Sequence, residues 1–193
     1  MATATVTATK RMTLDEFLEL PETEPASEFI CGEVVQKSMP SLFHSALQIE
    51  LGALLRNLLR ITRVGWVVTE ARHAQRAESR AYLPDVGVIL MANLPKSRRE
   101  FERGPVERVP DFAMEILSPG DRPGRVAEKL AFYLRNNTPL VWVVDPIERT
   151  IDAHRPSLPS TTHTVGDVIT AEPVLPDFVL DLGQLFATID IPE

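Results

Sequence analysis

Two carboxylates set in apolar runs are the residues of this chain best able to do chemistry. Asp85 follows Pro84 inside the strand-like run 81–91, and Glu115 lies inside a second such run, 111–117. Strand alternation puts Leu83, Asp85 and Gly87 on one face of the first run. It puts Ala113, Glu115 and Leu117 on one face of the second. An acid in the middle of an apolar strand is costly unless it is paired, protonated or bound to a metal. If the two strands are neighbours, both carboxylates can hold one divalent ion. Oxygen ligands with open water positions suit magnesium or manganese. Such an ion activates water and neutralises charge on a phosphate. The competing reading is structural: Asp85 caps a turn after Pro84, and Glu115 ends its strand just before Ser118-Pro119-Gly120.

The elements that must position these acids can be read from periodicity and punctuation. Thr13-Leu14-Asp15-Glu16 forms a capping box, so a short helix runs through about Leu20 until Pro21 ends it. Residues 28–37 read as a strand pair or one bent strand, broken at Gly32. Ser41 caps a long helix whose Leu47, Leu51, Leu54, Leu55, Leu58 and Leu59 recur at helical spacing, ending near 60–63. Strands are expected at 64–70, 81–91 and 111–117, with a polar, Arg-rich loop at 95–108. A second helix spans about 123–136, with Pro123 in its first turn. The apolar run Leu140–Asp145 reads as a strand covered on both sides. Residues 150–154 and 161–165 form a hairpin near an edge, and 175–186 close the chain with a strand and a helical turn. This order predicts an α/β sandwich around a mixed sheet.

The 193 residues fit one domain, 12–188, behind a Thr/Ala-rich tail, 1–11, read as disordered. The single cysteine, Cys31, forbids an internal disulfide and points to the cytoplasm. One Cys and four scattered His also argue against a zinc cluster. No apolar run is long enough to cross a bilayer. The formal net charge of −7 argues against broad, sequence-independent nucleic-acid binding, which comes with a basic surface. It leaves room for a local basic groove and fits a carboxylate-rich metal site.

Several motifs in order resemble a bacterial family of restriction-endonuclease-like proteins, formerly a domain of unknown function. They are Met12–Phe17, Glu28–Val35, Pro84-Asp85, Glu115–Asp121, Glu128-Lys129-Leu130, Val141–Pro146 and Leu175–Phe178, with His44 at the start of the long helix. The resemblance runs from about Met12 to Phe186. It implies a PD-(D/E)XK core, a mixed central sheet flanked by helices, with Asp85 and Glu115 as metal ligands. Where that pattern expects a lysine two residues after the glutamate, this chain has Leu117. The resemblance places the lysine in the following helix instead, at Lys129. That position lies about 110° from the centre of the helix's apolar stripe on a ~100° per residue wheel, within reach of the sheet for a long side chain. Its bland alternative is a solvated lysine paired with Glu128 or Arg125. Related nucleases complete the metal shell with an N-terminal acid; Glu33 takes that role, with Glu28 as rival.

Further candidates lie outside this set. His44 is a candidate contact to phosphate or to a carboxylate of the site. Among the loop basics Lys96, Arg98, Arg99, Arg103 and Arg108, extended by Arg122 and Arg125, we take Arg98, Arg99 and Arg125 as possible substrate contacts. Asp121 reads as a helix cap, and Trp66 and Trp142 as core. The expectation is a magnesium- or manganese-dependent endonuclease cutting DNA, cytoplasmic and homodimeric. Two alternatives stand beside it: a nuclease-fold module that binds or assembles without cutting, and a hydrolase of small phosphoesters.

Overall fold

The computed structural model of the chain describes residues 11–191. Of the tail expected at 1–11, only Arg11 falls among them. In chain order the elements are α1 (Leu14–Leu18), β1 (Ser27–Ile30), β2 (Glu33–Gln36), α2 (Leu42–Thr62), β3 (Gly65–Thr69), β4 (His73–Gln75), β5 (Arg80–Tyr82), β6 (Val86–Leu90), α3 (Arg98–Arg103), β7 (Phe112–Ile116), α4 (Pro123–Arg135), β8 (Leu140–Asp145), β9 (Thr150–His154), β10 (Thr161–Thr164), β11 (Val168–Ala171), β12 (Leu175–Asp181) and α5 (Leu182–Ala187).

A six-stranded sheet, ordered β10-β9-β8-β7-β6-β3, is the frame. Only β7 and β8 are parallel within it, joined by α4, so the sheet is mixed as expected. Period-2 alternation along β7 sends Phe112, Met114 and Ile116 to the core under α2, where Leu47, Leu51, Leu55 and Leu59 form a stripe at helical spacing. Ala113 and Val141 face the other way, against Phe132 and Tyr133 of α4. A four-stranded antiparallel sheet, β2-β1-β5-β4, supports that second face; Ile30 and Tyr82 join the same cluster. The sandwich is therefore helix, sheet, helix, with a small sheet beside α4. Among the described residues no helix is long and apolar enough to cross a membrane.

Local chemistry explains most boundaries. Thr13 and Glu16 form the capping box that starts α1. Ser41 Oγ accepts the His44 amide at 3.1 Å and starts α2. The β1–β2 hairpin turns through Cys31, with φ of 50°, and Gly32, with φ of 98°; the second value is one that glycine adopts without strain.

Three expectations need correction. The run 81–91 is two strands, not one: β5 belongs to the four-stranded sheet and β6 to the six-stranded one. Pro84 lacks the N–H that a continuous ladder needs, so the chain changes sheets there. The segment 95–108 contains a helix, α3, opened by a Ser97–Glu100 capping box. Trp66 is 46% exposed, because β3 is an edge strand and the indole lies against Phe101 rather than in the core. Trp142 is fully buried.

His73 carries a testable consequence of burial. Its Nδ1 lies 2.7 Å from the Arg108 carbonyl, and its Nε2 finds no partner among the described residues. Nδ1–H therefore donates, and the ring is neutral. Burial pushes its pKa down to about 4. The unfolded chain takes up this proton near pH 6.5 and the folded chain only near 4. Stability is then lost as pH falls through that window, by about 2–3 kcal/mol. His73→Leu should flatten this part of the pH dependence. Urea melts at pH 7 and pH 4.5 read the slope directly; an unchanged slope in the variant would acquit His73.

Candidate active site

The break at Pro84 is what aims Asp85. Strands β6 and β7 are antiparallel with Val86 opposite Met114, so one further step of the register sets Asp85 across from Glu115. Asp85 thus precedes β6 rather than lying mid-strand. Both carboxylates are buried, at 2% and 7% exposure, in the wall of a cleft of about 330 Å³.

Asp85 is held from three directions. Its Oδ2 accepts the Ile116 amide at 2.7 Å and lies 3.2 Å from His44 Nε2. Its Oδ1 accepts Lys37 Nζ at 2.7 Å. His44 and Gln48 stand one turn apart near the start of α2, and Gln48 Nε2 donates to the Asp85 carbonyl at 2.9 Å. Burial alone would raise the Asp85 carboxyl. The His44 hydrogen bond and the Lys37 and Lys129 charges overcome it, and the group sits well below the usual carboxylate range.

Glu115 meets α4. Lys129 Nζ donates to Glu115 Oε2 at 2.6 Å, and Tyr133 Oη donates to Oε1 at 2.9 Å. These two side chains are four residues apart, hence on one face of the helix. The Lys129 ammonium also reaches Glu28 Oε1 at 2.9 Å. Burial pushes Glu115 up to about 7, against the pull of Lys129. For Lys129 burial works downward, but Glu115 and Glu28 hold its pKa well above the usual lysine value.

Most expected residues converge here. Asp85, Glu115, Lys129 and His44 line one cleft, with His44 on Asp85 and Lys129 on Glu115, and Arg125 lines it too with its guanidinium on Glu128 at 3.1 Å. Lys129 is a buried member of the cluster rather than a solvated helix lysine. Three expected residues are elsewhere. Glu33 is exposed at the hairpin turn, about 7 Å along the strand from Val35, and the rival Glu28 takes its place in the cluster. Arg98 and Arg99 are exposed in α3, beyond the far end of β6, a five-residue strand about 16 Å long. Asp121 does not cap α4, whose N-cap is Arg122; its Oδ2 accepts the Ser118 amide at 2.8 Å and tightens the loop before the helix.

Lys37 and Tyr133 are site residues that sequence reasoning passed over. Tyr133 was legible only as part of an apolar stripe. The signal for Lys37 was alternation: Val35 packs against the α4-side core, so position 37 shares its face.

The donor set fits a hard divalent ion. Four carboxylates, Asp85, Glu115, Glu28 and Glu70, and two lysines leave two formal negative charges in the cluster. A carboxylate offers about four acceptor positions; Asp85 uses three here and Glu115 two. Among the described residues no three His, Cys, Asp or Glu side chains are arranged to hold a metal. An ion would rely on Asp85, Glu115 and water, as magnesium commonly does.

A mixed sheet sandwiched by helices, with paired acids on adjoining strands and a lysine against them, is of the restriction-endonuclease-like class. The chain belongs to the Uma2 family, described as "Putative restriction endonuclease", which it matches over residues 14–183. It is similar to a solved structure from Anabaena variabilis ATCC 29413, titled a putative nuclease belonging to DUF820. The identity is 30%, the match covers 92% of this chain and 98% of that one, and the TM-score is 0.82. No curated protein matches the chain.

Proposed function

We propose that this protein is a metal-dependent endonuclease that hydrolyses DNA phosphodiester bonds, with Asp85 and Glu115 as ligands of magnesium or manganese. One observation carries the reading: two buried acids on neighbouring strands open into a single cleft with Lys129 hydrogen-bonded to one of them. When bound there, a divalent ion supplies Lewis acidity toward water and phosphate. The protein's own groups do the rest. His44 and the Ile116 amide fix the Asp85 carboxylate in one orientation. Glu115 and Glu28 favour the charged form of Lys129, which from there offers a positive charge to the oxygen on which charge develops. Arg122 and Arg125 at the cleft rim offer phosphate contacts. Two copies would present two such sites, one for each strand, and we propose a homodimer on that ground.

Incubation with supercoiled plasmid in magnesium, manganese or EDTA tests this reading. Metal-dependent nicking or linearisation supports it. Tight DNA binding without cleavage would move the protein to a binding module. Turnover of a chromogenic phosphodiester with plasmid left intact would make it a hydrolase of small phosphoesters.

A further inference from the structure

The cluster contains two lysines in closely parallel settings. Lys129 bridges Glu115 and Glu28, and Lys37 bridges Asp85 and Glu70. Both ammonium groups also point at the Leu83 carbonyl, at 3.1 Å from Lys37 and 3.4 Å from Lys129.

Their second partners differ. Glu28 is buried, so the second seat of the Lys129 ammonium lies inside the protein. Glu70 is half-exposed and takes Lys37 through both oxygens, at 3.0 and 2.8 Å. Gln48 Nε2 donates to Glu70 Oε1 at 3.2 Å and to the Asp85 carbonyl at 2.9 Å, which ties Glu70 to the site. The oxygens of Asp85 differ too. Oδ2 is committed to His44 and the Ile116 amide, while among the described residues Oδ1 holds only Lys37. Oδ1 is therefore the oxygen left for a cation. A magnesium ion sits about 2.0–2.1 Å from its oxygen ligands, and an ammonium at hydrogen-bond distance from the same oxygen claims that space.

We propose that Lys37 is the resident counter-ion of Asp85 and exchanges with the divalent cation: ion binding shifts the ammonium off Asp85 Oδ1 onto the Glu70 carboxylate that already holds it. This rests on the metal-site reading above. Lys37 is a positioning residue, keeping Asp85 charged and aimed until the ion arrives. Glu70 acts on the ion only through Lys37.

Manganese binding to the full chain without DNA, read from loss of the free-ion EPR signal, tests the exchange. Lys37→Met should tighten binding about tenfold or more, since it removes a competing charge within a few ångströms. Glu70→Gln should weaken it, because the ammonium loses its alternative seat. In the Lys37→Met background, Glu70→Gln should change nothing; this non-additivity separates exchange from a simple field effect, in which the two changes would add. Unchanged or weaker binding in Lys37→Met overturns the proposal, as does an undiminished Glu70→Gln effect in the double variant. If Lys37→Met does not fold, Lys37→Gln replaces it in both the single and the double variant, with the same outcomes expected; Glu70→Gln affinity equal to wild type overturns the proposal in either case. Wild-type binding that Asp85→Asn abolishes but Lys37→Met leaves untouched defeats the exchange alone. No manganese binding in any variant defeats the metal site itself.

Discussion

Glu115→Gln is expected to lower metal-dependent DNA cleavage by about 10³-fold or more while leaving the melting temperature nearly unchanged. The rate loss corresponds to about 4 kcal/mol of transition-state stabilisation, the scale at which a single preorganised charge acts. The small thermal effect follows from the surroundings. Burial pushes Glu115 up to about 7, so a neutral amide imitates a state the carboxyl already visits. The amide oxygen can accept from Lys129 and the amide N–H can donate to the Tyr133 hydroxyl, which also accepts, and Lys129 keeps Glu28. Asp85→Asn should cost similar activity but behave differently in stability. The Asp85 charge is favoured by His44, Lys37 and the Ile116 amide; Lys37 holds one oxygen and the Ile116 amide the other, and both can only donate, so an Asn N–H there faces a donor in either orientation. A destabilisation of about 2–4 kcal/mol is expected. Single-turnover cleavage and thermal melts in EDTA give both numbers. Near-full activity in Glu115→Gln would remove the proposed mechanism.

Such a split between two acids could not be read from residue types alone. The apolar runs around Asp85 and Glu115 announced buried carboxylates, and the period-3.6 leucines of α2 announced the helix that covers the sheet. Those are local patterns, and they survive folding. What the chain concealed was set by register. Whether Glu28 or Glu33 joined the site depended on how far along the hairpin each falls, and both lie on the same side of it. Pro84 was visible as a peculiarity of a strand, but its consequence, a change of sheet that points Asp85 across at Glu115, needs the partner strands. Arg98 and Arg99 formed a basic cluster as real in sequence as the acids. Only the length of β6 between Asp85 and α3 puts them at the wrong end. Lys129 was found through its place in a family pattern; helical geometry made its reach feasible but did not require it.

Lys129→Met tests whether that residue balances the site as well as serving it. Cleavage is expected to fall by about 10²–10³-fold, the usual cost of removing a preorganised donor. In EDTA the protein should also lose about 3–5 kcal/mol of stability at pH 8, since Glu115 and Glu28 remain buried with their shared cation gone. The loss should shrink on acidification. A carboxyl whose folded pKa lies above its unfolded value binds the proton more tightly when folded, so its stabilising share is present below the unfolded pKa and disappears as pH rises through the folded one. Glu115 is raised even with Lys129 in place, and without that pull it rises further. The gap in unfolding free energy between wild type and Lys129→Met should therefore be smallest near pH 5 and widen steadily toward pH 8. A gap constant across that range would mean that Lys129 contributes through packing of its methylenes rather than through charge. The fixed-charge role assigned to it in cleavage would then lose its physical basis.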